Sequence, residues 1–348
     1  MRLLDTETGQ FFETNPKVAT YAILSHTWDP LKGEQTYNEL KGSQGRYPMD
    51  TQQPPLSQSF PSPTILGSSD SILTSSSPPS IWDDPNFSPK IRDACAIARA
   101  NGFRYIWIDS CCIDKGSSSE LSESINSMHA WYAAAKVCYA FLADVVAEED
   151  LAYPLSTFRK SRWFTRGWTL QELIAPWDVV FFSGDWRVMG SKDTLADLLE
   201  TVTGIDRGVL LHQKSLDEVS VAARLSWAAK RVTTRVEDEA YSLLGIFDIN
   251  MPTLYGEGIR AFRRLQEEIM RRIPDQSLFA PGLGLLGCAT PVNTAAQNDG
   301  IPHPAFIRRC QLQESSRQSL VPSLTNFRDS GSIRVVPRHT VRRILGLS

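Results

Sequence analysis

Long apolar runs, a basic excess and a cysteine framework are all missing from this chain of 348 residues. No run of 18 apolar residues occurs, which argues against a membrane span. Lys and Arg number 36 against 39 Asp and Glu, a formal net charge of -3, so the electrostatic footprint of a dedicated nucleic-acid binder is lacking. The 6 cysteines are too few and too scattered for a disulfide scaffold, with only Cys111 and Cys112 adjacent. A reduced, cytoplasmic protein is the expectation. The opening Met1-Arg2-Leu3-Leu4-Asp5 turns polar too early for a signal peptide. No Walker loop, dinucleotide glycine fingerprint or HExxH motif is found. What is present is 42% hydrophobic and 22% charged, enough for the core of one large domain or two ordinary ones.

Thr20 to Ser25 reads as a short buried strand followed by the polar His26-Thr27-Trp28-Asp29. Residues 51–80 hold ten Ser, six Pro and a single charge, Asp70. With so little apolar surface to offset ordering entropy, roughly 43–86 reads as a flexible insertion within one domain. Ile91, Ala94, Cys95 and Ala98 then fall at i, i+3, i+4 and i+7, a helix face, stopped at Asn101-Gly102. Phe103 to Asp109 is a buried strand ending in an acid. Ser117 with Glu120 suggests a capping box ahead of a helix carrying Leu121, Ile125, Met128 and Tyr132. Val137–Leu142 is a third strand, 161–175 a helix closed by Pro176, and Val179–Phe182 a fourth strand. Alternating helices and nearly all-apolar strands mark a parallel sheet covered on both faces. Beyond about 190 the pattern is helical: Leu195 to Val202, 219–230, 235–247, and a helix with Phe262, Leu265 and Ile269. Residues 281–348 carry eight Arg, no Lys and three acids, and read as a poorly ordered tail. The domains expected are therefore 1–190 with the insertion 43–86, a helical extension 191–280, and the tail.

Parallel sheets bind ligands beyond the carboxyl ends of their strands. That rule gathers Ser25, His26, Asp109 and Cys111 or Cys112 on one rim. A cysteine-protease site lacks any local nucleophile signature, a zinc site would have to use adjacent cysteines that chelate poorly, and buried, inert thiols remain the plain alternative. On a helix, Trp168 and Glu172 lie four apart, opposite Leu170, Leu173 and Ile174. They suit a cleft for a flat or cationic group, or else pack on the helical half with Glu172 paired to an Arg. The acids of Arg235-Val236-Glu237-Asp238-Glu239 fit a helix N-terminus.

Ala22-Ile23-Leu24-Ser25-His26-Thr27-Trp28, Tyr105 to Lys115 (YIWIDSCCIDK), Glu120 to Tyr132 and Arg166-Gly167-Trp168-Thr169-Leu170-Gln171-Glu172-Leu173, in that order, resemble the fungal HET (heterokaryon incompatibility) domain. Arg235 to Phe247 and Pro252 to Arg260 look like the segment that often follows it, so the resemblance runs over about 20–280 apart from the insertion. It implies a TIR- or flavodoxin-like parallel sheet flanked by helices, with a mostly helical C-terminal extension, and a role in fungal non-self recognition ending in programmed cell death. Ser161 to Leu173 resembles the TIR helix whose Glu cleaves the nicotinamide–ribose bond of NAD. By that likeness Glu172 is the catalytic carboxylate, while Ser25, His26, Trp28, Asp109, Cys111, Arg166 and Trp168 shape the cleft, Trp168 or Trp28 stacking on a ring and Arg166 meeting the pyrophosphate. NAD is then a substrate, with no cofactor or metal required.

The rival expectation is a non-enzymatic module acting by self-association or with other incompatibility proteins. An open cleft at Glu172 favours the enzyme; a Glu172 paired with Arg and sealed by packing favours the scaffold. A silent copy of a paralogous set is a third reading. Without a nucleotide-triphosphatase or repeat-sensor module, the chain reads as an executor or partner subunit.

Overall fold

The computed structural model describes residues 1–29, 31–47, 80–279, 320–321 and 323–333. Its strands are β1 (Arg2–Asp5), β2 (Phe11–Glu13), β3 (Ala22–His26), β4 (Tyr105–Trp107), β5 (Val137–Phe141), β6 (Val179–Phe182) and β7 (Val188–Ser191). They form one seven-stranded sheet in the order β2-β1-β4-β3-β5-β6-β7. The centre, β4-β3-β5-β6, is parallel, while β1, β2 and β7 join antiparallel. Numbered among themselves, the parallel strands run 2-1-3-4, the flavodoxin-like order. β3 and β5 are buried at every position, as apolar strands covered on both faces must be.

The helix Pro89–Ala100 buries Ile91, Ala94, Cys95 and Ala98, the face its periodicity marked. Pro sits at its start, and Gly102 takes a left-handed φ of 81° just past its end. The helix Ser118–Ala134 begins on Ser117, which accepts from the Glu120 backbone N–H. The reciprocal half of the expected capping box is missing: the Glu120 carboxylate instead pairs with Arg2 at 2.7 Å and accepts from Asp114 N–H.

The expected parallel sheet is present as the centre, and β1, β2 and β7 add antiparallel edges to it. Several expectations are corrected. The helix expected over 161–175 splits into a 3-10 turn, Arg162–Thr165, and a short helix, Thr169–Ile174. The break lies where Gly167 N–H donates to Val232 O and Val232 N–H to Thr165 O, so that backbone pairs with another segment. A Cβ on Gly167 would stand 2.5 Å from Thr233 Cγ2. The helix expected over 235–247 is only Asp238–Tyr241 followed by turns. Parts of the stretch read as a flexible insertion belong to the fold: the capped helix Tyr37–Arg46 runs through Ser43 and Gln44, both buried, and Ile81 and Asp84 are buried on the far side. Residues 48–79 lie outside the described residues, as does most of 281–348. Within that tail, however, Leu324 and Phe327 are buried, and the Gln266 side chain exchanges two hydrogen bonds with the Val321 backbone.

The helical half carries Ala196–Thr203, Val221–Ala228 and Arg260–Arg272. It shares one apolar core with the sheet. Gly245 packs so closely on His129 that a Cβ there would meet His129 Cβ at 2.0 Å. Among the described residues no helix is long and apolar enough to cross a membrane.

Candidate active site at the switch point of the sheet

Strand order reverses at β3: the chain goes from β3 to β4 on one side and returns to β5 on the other. Crevices for ligands open beyond the carboxyl ends of the strands at such a point. Ser25 and His26 end β3 there, and side-chain alternation along a strand sends the two to opposite faces. The single rim pocket expected from the sequence is therefore two clusters, back to back.

On one face, the Ser25 hydroxyl donates to Glu172 Oε2 at 2.5 Å and accepts from Trp163 Nε1 at 2.9 Å. Glu172 arrives on the helix Thr169–Ile174, and Trp163 on the 3-10 turn before it. Ser25 and Trp163 are fully buried and Glu172 is 7% exposed. Burial pushes the Glu172 carboxyl from 4.5 up to about 8. The Ser25 hydrogen bond, Tyr132 and Arg231 pull it down, and Asp109 pushes it further up. The balance is a carboxyl that holds its proton more tightly than an ordinary glutamate. Tyr132 donates its own proton to Leu24 O at 3.0 Å.

On the other face, the His26 ring is buried with Nδ1 at 3.7 Å from Asp109 and Nε2 at 3.8 Å from Glu34. Both distances are too long for hydrogen bonds, and neither ring nitrogen has a partner. Burial lowers the imidazole below 6.5, against the pull of Asp109 and Glu34. Glu34 is paired with Lys90. Asp109 accepts from Trp28 Nε1 at 3.0 Å, and Lys115 sits 3.6 Å above the Trp28 ring. Burial raises the Asp109 carboxyl, but Lys115, His26 and the Trp28 bond together hold it below its ordinary value. Trp28 is the exposed member, at 41%, covering the cluster from outside. A cavity of about 700 Å³ adjoins it, lined among others by Asp29, Glu34, Arg46 and Lys90.

The remaining expected residues lie apart. Cys111 is fully buried, its thiol directed at Ile108 O. Burial pushes that thiol well above 9.0, which leaves no thiolate for nucleophilic attack. Arg166 hydrogen-bonds Thr234 at 3.1 Å, and Trp168 turns to Asp238 of the helical half. Among the described residues no three His, Cys, Asp or Glu side chains converge as a metal site. The acids of the 235–247 segment do more than favour a helix end. Glu237 accepts from the Gly256 and Gly258 N–H groups and Asp238 from Tyr255, locking the Tyr255-Gly256-Glu257-Gly258 turn.

Three residues of the Glu172 site were not singled out in the sequence. Trp163 is the first. The second is Lys192, fully buried, whose ammonium caps the Glu172 helix at Leu173 O and Pro176 O; burial lowers it to about 8. The third is Arg231. Only Lys192 carried a hint, as a cation downstream of a helix end, and nothing local distinguishes it from a surface lysine.

An α/β protein with a flavodoxin-like strand order and a buried carboxyl closed off at its switch point is the class that these observations define. Residues 21–156 match the family described as Heterokaryon incompatibility protein (HET), and residues 260–348 a Domain of unknown function (DUF8212). The chain is 39% identical over 280 residues to Vegetative incompatibility protein HET-E-1 of Podospora anserina, an alignment covering 77% of this chain and 18% of that protein. It therefore spans less than a fifth of that relative's length. No solved structure matches it. The chain carries a HET domain over residues 21–156.

Proposed function

We propose that this protein acts in vegetative incompatibility and the cell death that follows, as a signalling module working by association with itself or with other incompatibility proteins. Its likeness to HET-E-1 supports the pathway. The closed Ser25–Glu172–Trp163 cluster carries the choice of a non-enzymatic role. Breaking the nicotinamide–ribose bond needs an ionised carboxylate facing an oxocarbenium-like centre. Here the carboxyl is 7% exposed, pushed up to about 8 by burial, and occupied by Ser25. The seal is made by Ser25 and Trp163, with Arg231 near but not ion-paired.

One observation favours NAD cleavage as the second reading. A titratable carboxyl at the switch point stands where such sheets bind ligands, back to back with an imidazole that has two unpartnered nitrogens. In that reading the cationic nicotinamide ring would ionise Glu172 on binding, and NAD is the substrate with no cofactor needed.

NAD consumption by the purified chain and by Glu172→Ala, each dilute and artificially clustered, separates the two. The expected result is no NAD loss in any of the four samples. Loss with wild type alone would replace the association reading by the enzymatic one. Equal loss with both proteins would also overturn it, and would put the reacting group elsewhere.

A further inference from the structure

We propose that residues 320–333 form a plug seated in a groove of the helical half, and that a second copy of this chain can supply it, so that copies associate by exchanging plugs. The proposal rests on the association reading above and gives it a surface. The plug closes its own turns. Ser323 accepts from Thr325 N–H at the head of the 3-10 turn Leu324–Phe327, and the N–H groups of Arg328, Ser330 and Ile333 each donate back to a carbonyl three residues earlier. Leu324 and Phe327, three apart, fall on one side of such a turn, and both are buried. The turn lies against the helix Val221–Ala228.

The groove holds the plug by its backbone. Gln266, on the helix Arg260–Arg272 and 1% exposed, donates through Nε2 to Val321 O at 2.9 Å and accepts at Oε1 from Val321 N–H at 3.2 Å. Both ends of its amide are spent on that one residue. At the far end the Ser220 hydroxyl donates to Ile333 O. It also accepts from Ala223 N–H at 3.1 Å as the cap of the helix Val221–Ala228. Between these two points the plug passes close over Ser226: a Cβ on Gly331 would stand 3.2 Å from its Oγ. Lifting the plug would strip the buried Gln266 amide of both bonds and bare Leu324 and Phe327, so an empty groove is unfavourable. Residues 280–319 are the covalent link from the 3-10 turn Gln276–Phe279 to the plug. A link of that length reaches at most roughly 130 Å fully extended, which brings the groove of a neighbouring copy within range. The contacts made there are those made within one copy, so concentration against the tether decides between them. Copies held close together therefore exchange. Reciprocal exchange closes a pair, and one-way exchange from copy to copy builds a chain.

The test mixes two variants of the full chain. Phe327→Asp puts a charge on the plug and leaves the groove vacant. Ser226→Trp fills the floor of the groove and leaves the plug free. Light scattering is expected to read a monomer for each alone and a 1:1 heterodimer for the mixture. Folded variants whose mixture stays monomeric overturn the proposal. So does a Phe327→Asp chain that pairs with itself as well as with Ser226→Trp. Should Ser226→Trp fail to fold, a fluorescent synthetic peptide of residues 320–333 takes its place, and Phe327→Ala stands in for Phe327→Asp on the same ground. The peptide should bind the vacant groove saturably and wild type at least about tenfold more weakly, since the tethered plug competes. A peptide carrying Phe327→Asp should not bind. No binding to the vacant groove, or equal binding to both chains, overturns the proposal. Wild-type association that survives Phe327→Asp also overturns it and leaves the association reading standing through another surface. NAD loss in the assay above would remove the association reading without altering the result of the mixture.

Discussion

Trp163→Ala is expected to lose about 3–5 kcal/mol of folding stability, the cost of emptying a fully buried aromatic site. Trp163 meets Phe164 and Phe181 edge to face at 5.1 and 5.7 Å. Phe181 is a fully buried residue of β6, so the cavity would open between the sheet and the helix that carries Glu172. The same substitution removes the N–H that fixes Ser25. Trp163→Phe separates the two effects: it keeps most of the ring and should cost about 1 kcal/mol beyond its lost volume, the worth of one hydrogen bond. Urea denaturation of the three proteins measures this. A Trp163→Ala loss below about 1 kcal/mol would mean that the site collapses freely and holds nothing in place.

Glu172→Gln should change the pH dependence of stability by nearly as much. The folded carboxyl binds its proton up to about 8, against 4.5 for the ordinary group. Between those values the folded state holds a proton that the unfolded state has lost. Raising the pH through this window therefore destabilises the wild type, by about 1.4 kcal/mol per unit and about 5 kcal/mol in all. Glutamine has no proton to hold, so the Gln variant should gain on wild type steadily from about pH 4.5 to about pH 8 and then run parallel. His26 acts in the opposite sense: its folded pKa is depressed, so its contribution is present above 6.5 and lost as pH falls. A constant difference between wild type and Glu172→Gln across the window would show that the carboxyl ionises normally in the fold.

The parallel centre was legible because β3, β5 and β6 are apolar runs and the helix Pro89–Ala100 shows a clean 3.6 period; all four residues marked on its face are buried. The three antiparallel strands were not. β1 is four residues long, β2 has three with two exposed, and β7 is partly exposed throughout, so none offers a run or an alternation long enough to read. The unbroken helix expected over 161–175 failed because the pairing of Gly167 with Val232 is tertiary, and local propensity says nothing of it. Within the site, Ser25, His26, Asp109 and Glu172 were identifiable as chemistry-bearing residues at strand or helix ends. Their arrangement was not: a strand ending at Ser25 leaves His26 outside the alternation, and β3 runs on through His26, which sends the two side chains to opposite faces. Trp163 and Arg231 meet Ser25 and Thr169 across 138 and 62 positions of chain. No periodicity reports a contact of that separation.

Whether Glu172 is a carboxylic acid or a carboxylate at neutral pH decides the account most directly. The infrared difference spectrum between wild type and Glu172→Gln at pH 7 reads it without perturbing the fold. The closed site predicts a carbonyl stretch of a protonated, hydrogen-bonded carboxylic acid in wild type that is absent from the variant. A carboxylate band in its place would contradict the sealed, neutral site and leave Glu172 charged and available at the switch point.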